Sequence, residues 1–219
     1  MKKWLIITPL ALLVILYGWN VMSHYNEPTY RVIESQGNIE IRAYEPTVIA
    51  EVEVTGNRDT AIREGFRLLA DYIFGNNQTS NTAEATSKKI AMTAPVLQQS
   101  SQKIAMTTPV MQTPNNNEWL VRFVMPKEYT LETLPKPHNP KVHLRNVPAT
   151  TVVVVRFSGG SSPKNLQHHL SELQAYTAAH QLNVTGEPTY AFYNPPWTLP
   201  FLRRNEIMLT TTAAKASSD

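Results

Sequence analysis

The chain has 219 residues, of which 42% are hydrophobic, and this is enough for one large domain or two small ones. Its 20 basic side chains exceed the 17 acidic ones, but Lys2 and Lys3 belong to the N-terminal segment and the rest of the chain is nearly neutral. We therefore expect no nucleic-acid partner, which would need a basic face. Cysteine is absent, and this excludes disulfides, thiolate catalysis and cysteine-ligated metals.

The N-terminal residues have the pattern of a membrane anchor. Residues 4–22 carry no charge, and as a helix they would span roughly 28 Å, close to the bilayer core of about 30 Å. The preceding lysines should stay in the cytoplasm, which places the rest of the chain outside it. We predict a single-pass anchor over residues 1–23 in the inner membrane, with a periplasmic or other extracytoplasmic domain. The alternative is a signal peptide whose cleavage releases that domain into the periplasm.

Three strands and a helix are predicted next. The strands cover residues 29–35, 38–44 and 47–55, and apolar residues alternate strictly along the third. A helix then begins at Asp59 and is expected to end at Gly75. Its apolar residues recur at the spacing of one helical face and are predicted to meet the core: Ile62, Phe66, Leu69 and Ile73.

Two nearly identical octapeptides lie in the middle of the chain, KIAMTAPV at residues 89–96 and KIAMTTPV at 103–110. Their large apolar residues are two positions apart, which is typical of a half-buried strand. We predict that they form a core hairpin whose turn is the polar run 98–102. A second interpretation makes Met92 and Met106 part of a ligand-binding wall. Another strand is predicted over residues 119–125.

The second half of the body repeats the first. Moving residues 39–56 forward by 103 positions aligns them without gaps on 142–159, so that Arg42 meets Arg145. The helices align at an offset of 104, and the second helix has a matching apolar stripe: Leu166, Leu170, Leu173 and Tyr176. Such a duplication predicts an α+β fold in which two strand-strand-helix units form one distorted antiparallel sheet or barrel with two packed helices. This domain covers residues 24–210, and residues 211–219 form a polar tail.

Several motifs together resemble the SOUL haem-binding protein family, and the match runs from about Tyr30 to Leu209. They are Glu40-Ile41-Arg42, Tyr72-Ile73-Phe74-Gly75, the twin octapeptide, Phe123-Val124-Met125-Pro126, Val154-Val155-Arg156-Phe157-Ser158-Gly159, Tyr193-Asn194-Pro195-Pro196 and Arg204-Asn205-Glu206-Ile207. With its N-terminal segment, the chain is identified as a membrane-anchored, bacterial-type member. The resemblance implies a duplicated α+β fold and non-covalent binding of haem or another tetrapyrrole.

The resemblance also implies that the first helix supplies the ligand-facing surface. Its apolar side chains would be Ile62, Phe66 and Leu69, joined by Met92 and Met106. Arg63 and Arg67 border this stripe, roughly 100° and 140° round the helix from Ile62, and could pair with the haem propionates. Some family members carry a histidine directly after the Glu-Ile-Arg motif, but this chain has Ala43. We therefore predict binding by apolar contacts and arginine–propionate pairs, without a strong axial ligand and without a separate metal site.

Two other functions remain open from the sequence. One is an enzyme or sensor for a small amphiphile that uses Glu206, although the chain carries none of the common hydrolase, metalloprotease or phosphate-loop motifs. Burial would raise the pKa of Glu206, whereas pairing with Arg203 or Arg204 would make it structural. The other is a protein-interaction scaffold at the membrane surface.

Overall fold

A computed structural model of the protein describes residues 27–79, 87–100, 118–195 and 197–212. These residues form a mixed α+β domain with two α-helices, α1 (Arg58–Ile73) and α2 (Pro163–Ala179), and one 3₁₀ helix, Pro200–Leu202. The strands are β1 (Tyr30–Gln36), β2 (Ile39–Tyr44), β3 (Thr47–Thr55), β4 (Asn77–Gln78), β5 (Val96–Ser100), β6 (Glu118–Val124), β7 (Lys136–Pro137), β8 (His143–Val147), β9 (Thr150–Phe157), β10 (Val184–Phe192) and β11 (Asn205–Thr211).

Nine of these strands form one antiparallel sheet in the order β1-β2-β9-β11-β10-β5-β6-β3-β8. The two edge strands, β1 and β8, do not pair with each other, so the sheet is open and does not close into the barrel that the sequence left possible. Strands β4 and β7 form a separate two-stranded sheet.

The strand register repeats as the duplication predicts. Ile41 of β2 pairs with Val153 of β9, and Leu144 of β8 pairs with Ala50 of β3. Leu144 is the counterpart of Ile41, and Val153 is the counterpart of Ala50, each at the offset of 103 positions. The first strand of each repeat, β2 or β8, therefore pairs with the second strand of the other repeat, β9 or β3. In the strand order, the pseudo-twofold axis that relates the two halves falls between the central strands β10 and β5.

Both helices pack on the same face of the sheet. Alternate residues of β3, including Val52, share a buried cluster with α1, while Val153 and Val155 of β9 share another with α2. In α2 the predicted residues Leu166, Leu170 and Leu173 are all buried. The opposite face carries a third apolar cluster, whose members are Ala94, Val152, Val154, Ala191, Tyr193 and Met208.

Helix α1 is rotated on the sheet relative to the prediction: Leu69 and Ile73 are buried as predicted, whereas Ile62 is half-buried and Phe66 is exposed. Its buried residues are Ala61, Gly65, Leu68, Leu69, Ala70, Tyr72 and Ile73. Gly65 explains the rotation, because a Cβ atom at this position would lie only 2.5 Å from Cγ2 of Val121 on β6. The absence of a side chain there lets the helix backbone approach the strand, and this turns Phe66 outward. The prediction that Phe66 faces the core is therefore wrong.

The first octapeptide is also placed differently from its prediction. Residues 89–92 are not in a strand, since the Ile90 N–H donates to the Ile73 carbonyl at the end of α1 and the Thr93 hydroxyl donates to the Val124 carbonyl. Strand β5 starts only after Pro95, which has no N–H for a ladder, and it includes Gln98 and Gln99. The predicted turn over 98–102 is thus wrong in its first residues. The second octapeptide lies outside the described residues.

The predicted membrane segment, residues 4–22, also lies outside the described part of the chain. Among the described residues, no helix is long and apolar enough to cross a membrane.

Candidate functional site

The outer surface of α1 carries most of the residues predicted to bind a ligand. Phe66 is 38% exposed and its ring lies 5.3 Å from that of Phe123, which supports it from the sheet. Ile62 is half-buried, and Arg63 and Arg67 are exposed on the same helix. The structure therefore displays an exposed aromatic side chain that Phe123 of β6 supports from the sheet, with two exposed cations on one flank of the helix.

Two of the predicted apolar contacts are not on this surface. Leu69 is fully buried beneath α1, so it supports the helix and does not face solvent. Met92 is half-buried and packs against the core cluster that contains Leu69. Met106 lies outside the described residues.

None of the histidines in the described region belongs to α1. His138, His143, His168 and His180 are exposed, and position 43 in β2 is alanine. His169 stacks on Phe157 at 4.1 Å, and its Nδ1 lies 2.9 Å from Glu172. The possible ligand atoms of His168, His169 and Glu172 come within 4.8 Å of one another. Asn38 donates a hydrogen bond to Glu172 at 3.0 Å. This bond and the stacking of His169 on Phe157 hold α2 against the sheet.

A buried charged network lies on the face of the sheet opposite the helices. Glu206 of β11 is 1% exposed, and Arg42 of β2 binds it through two hydrogen bonds of 2.8 and 3.2 Å. The Tyr193 hydroxyl donates to the same carboxylate at 2.7 Å, and Arg204 Nε donates at 2.9 Å. Arg42 also donates to Glu40 at 2.6 Å. The predicted pairing with Arg204 is present, but Arg42 is the main partner and was not predicted.

The network sets the ionisation of its members. Burial would raise the pKa of Glu206, but the hydrogen bonds and charges of Arg42 and Arg204 outweigh it and hold that pKa below its usual value. Of the two alternatives for Glu206, the structure therefore shows the paired one and not the raised pKa. Burial raises the pKa of Tyr44 to about 12, and it raises the pKa of Tyr193 as well, so both phenols stay protonated at neutral pH. Glu206 is the counter-ion of Arg42, with each of its oxygens accepting hydrogen bonds.

The protein should lose stability in acid as Glu206 becomes protonated. A carboxyl with a lowered folded pKa contributes stability that is complete above the unfolded value, about 4.3 for glutamate, and is lost as the pH falls through the folded pKa. Urea unfolding from pH 7 to pH 3 should show a smaller acid loss in Glu206→Gln than in the wild type. Glu64→Gln on α1 is the control and should keep the wild-type slope. Parallel pH profiles for wild type and Glu206→Gln would refute this assignment.

A cleft of about 260 Å³ opens on the same face of the sheet. Its walls include the apolar residues Ile49, Leu97, Val124, Val152 and Met208. At one end, Glu51 is 3% exposed and is held by Arg122 at 3.0 Å and Arg145 at 2.8 Å. Glu206 does not line this cleft.

Arg145 occupies the position equivalent to Arg42 in the duplicated half. Each of these arginines reaches a buried glutamate on the face opposite the helices, Arg145 to Glu51 and Arg42 to Glu206. The duplication had already aligned the two arginines, and this was the signal that both have an equivalent structural role. Their glutamate partners come from non-equivalent strands, so the sequence repeat does not identify them.

Solved structures with a similar fold confirm the architecture. The C-terminal domain of EcmrR superposes with a TM-score of 0.58 at 10% identity, covering 84% of this chain and 99% of that one. A hydrolase from Listeria innocua superposes with a TM-score of 0.54 at 12% identity, covering 82% of this chain and 94% of that one. At these identities the likeness shows the fold alone.

Sequence comparison supplies the family. No curated protein matches the chain. The family model described as SOUL heme-binding protein matches residues 25–210, nearly all of the chain that follows the predicted membrane segment. This match agrees with the motifs in both halves of the duplicated sheet and with the two helices that pack on it. The chain belongs to the SOUL haem-binding protein family.

Proposed function

We propose that this protein binds haem or a related tetrapyrrole on the outer surface of α1. The observation that carries the proposal is the exposed Phe66 beside a flank that carries Arg63 and Arg67, in a member of a haem-binding family. Phe66 and Ile62 would contact the macrocycle, and the two arginines would pair with its propionates. Both groups suit a flat ligand that is apolar at its centre and carboxylated at one edge.

The contacts of α1 support this arrangement. Phe66 is fixed by its edge-on contact with Phe123, so its exposed side is presented without a large loss of side-chain entropy on binding. Arg63 and Arg67 are four residues apart, which places them on one flank of the helix. Within the described part of the chain, neither forms an ion pair with a carboxylate. Both cations are thus available to an anionic ligand.

Binding is proposed to need no axial bond to iron. Ala43 stands where some relatives carry a histidine, α1 contains no histidine, and His169 is engaged in packing against Phe157. Apolar and arginine contacts do not depend on the metal. Protoporphyrin without iron should therefore bind about as tightly as hemin.

The domain is further proposed to be tethered to the inner membrane and to work outside the cytoplasm. The support is the uncharged run over residues 4–22, which is preceded by Lys2 and Lys3. Release by signal cleavage would leave the same domain free in the periplasm. Mass spectrometry of the N-terminus after expression distinguishes the two.

Titration of the protein with hemin and with protoporphyrin tests the α1 site, followed by absorbance and tryptophan quenching. We expect saturable one-to-one binding of both ligands. The double variant Arg63→Glu with Arg67→Glu should weaken it about tenfold, or 1.4 kcal/mol, because two attractive charges become repulsive. Arg31→Glu with Lys164→Glu makes the same change in net charge at exposed positions on β1 and α2, outside the proposed surface, and should leave binding unchanged. Loss of hemin binding on changing a single histidine would contradict the non-coordinating mode.

A second candidate function is binding of a small amphiphile in the cleft on the opposite face. The apolar walls and the buried Arg122–Glu51–Arg145 cluster favour it. Val124→Trp would fill this cleft, whereas Phe66→Ala would alter only the α1 surface. A ligand whose binding is abolished by Val124→Trp and unaffected by Phe66→Ala belongs to the cleft.

A further inference from the structure

A short loop between β10 and β11 displays an unusual amount of apolar surface. Four large apolar side chains in six residues are exposed, Trp197 by 82%, Leu199 by 55%, Phe201 by 70% and Leu202 by 57%. No acidic residue lies between Trp197 and Arg204. Single exposed apolar residues are common on proteins, but a contiguous group of this size marks a surface that is covered by a partner or a membrane.

The loop is held in this form by hydrogen bonds. The Gly159 N–H donates to the Pro200 carbonyl at 2.9 Å, and Arg203 Nε donates to the Thr198 carbonyl at 2.7 Å. At the base of the loop, the Arg204 N–H donates to Asn194 Oδ1 at 2.6 Å. The backbone is therefore fixed to the connection between β9 and α2, and the apolar side chains are exposed.

The loop lies where the N-terminal segment reaches the domain. Glu27, the first described residue, accepts two hydrogen bonds of 3.1 Å from Nη1 of Arg204, directly after the loop. Such a partly exposed ion pair adds little stability, but it shows the direction from which the chain arrives. Only four residues separate Glu27 from the uncharged run 4–22. A bilayer that holds this run must therefore lie close to the loop.

We propose that residues 197–202 insert into the interfacial region of the bilayer in which residues 4–22 are anchored. Tryptophan and phenylalanine side chains favour this region, and the adjoining Arg203 suits the level of the lipid headgroups. With two points of contact, the anchor and the loop, the domain is held against the membrane in one orientation. The inference rests on the membrane tether put forward above, and it adds a second membrane-binding element.

The absence of cysteine allows a direct test in the full-length protein. Leu199→Cys and, as a matched control, Phe74→Cys each receive one environment-sensitive fluorophore, and the proteins are reconstituted into phosphatidylcholine–phosphatidylglycerol vesicles. Phe74 is 60% exposed and directly follows the last residue of α1. Arg58 lies at the other end of this helix, where it contacts Ser161 just before α2. We expect blue-shifted emission and quenching by spin-labelled lipid at position 199, and quenching by aqueous iodide at position 74. Adding Phe201→Asp to the Leu199→Cys protein should move its label into water.

The outcomes separate the loop from the tether. Protein that fails to float with the vesicles refutes the tether. Protein that floats while its label at position 199 is as accessible to iodide as the label at position 74 overturns the loop proposal alone. The label at position 199 could instead become more buried as the protein density in the vesicles rises, while spin-labelled lipid does not quench it. That result would assign the loop to a contact between two copies of the chain and would also overturn the loop proposal.

Discussion

Replacing Arg42 with methionine should destabilise the domain by about 3 kcal/mol, because removal of one partner leaves a buried charge without compensation. Arg42 is 1% exposed and supplies two of the hydrogen bonds to Glu206, which is equally buried. Arg204 and Tyr193 would still contact the carboxylate, so the loss should fall at the lower end of the range for broken buried pairs. Urea unfolding of the protein from residue 24 onward measures the change.

Matched variants separate the ion pair from a general effect of losing arginine. Arg31→Met, at an exposed position on β1, should change stability by less than about 0.5 kcal/mol. Combining Arg42→Met with Glu206→Gln should cost less than the sum of the two single changes by at least about 1 kcal/mol, since both remove the same interaction. Strict additivity would show that the two side chains do not stabilise each other.

Gly65→Ala should destabilise the protein by about 1–3 kcal/mol through overpacking, although alanine is the better helix former by about 1 kcal/mol. The added Cβ atom would lie 2.5 Å from Val121 Cγ2 and 2.6 Å from its Cβ. Val121 is fully buried, so it cannot move away without disturbing β6. Thermal and urea unfolding measure the effect.

The close contact itself can be tested by making room for the new methyl group. Val121→Ala alone should also destabilise the protein, because it opens a cavity beneath α1. The double variant should be more stable than the sum of the single changes predicts. A stabilising effect of Gly65→Ala by itself would mean that the helix does not approach the strand as closely as described.

The same replacement bears on the proposed ligand site. If α1 moves away from β6 or turns on the sheet, Phe66 loses its contact with Phe123 and the arginine flank is re-aimed. Gly65→Ala should therefore weaken tetrapyrrole binding as well as stability. Phe66→Ala, by contrast, should weaken binding with little loss of stability, since Phe66 is 38% exposed.

Local periodicity predicted the elements whose side chains follow one simple face. Strand β3 was predicted with its observed bounds, and α2 buries the three leucines of its stripe. The offset of 103 residues also predicted that the two halves are equivalent, and the matching registers of β2 with β9 and of β8 with β3 agree with this. These features depend on residue spacing and on the repeat, both of which are visible in the chain.

Other features depend on contacts between distant residues. The orientation of α1 is set by the close approach of Gly65 to Val121. A search for periodic apolar residues does not count glycine as a core position, so the predicted stripe was centred too near Phe66. The start of β5 after Pro95 depends on hydrogen bonds that Ile90 and Thr93 make to α1 and β6. No pattern within residues 89–96 indicates those partners.

The charges show the same division. By itself the sequence determined the duplicated α+β fold, the family, the arginines of α1 and the uncharged N-terminal run. Only the tertiary structure decided that Glu206 is ionised and paired with Arg42, 164 positions away. It also decided that Glu27 reaches the exposed loop before β11. The physical reason is that hydrophobic periodicity is a local property of the chain, whereas the pKa of a buried group and the surroundings of an exposed one are set by residues brought together only in the folded protein.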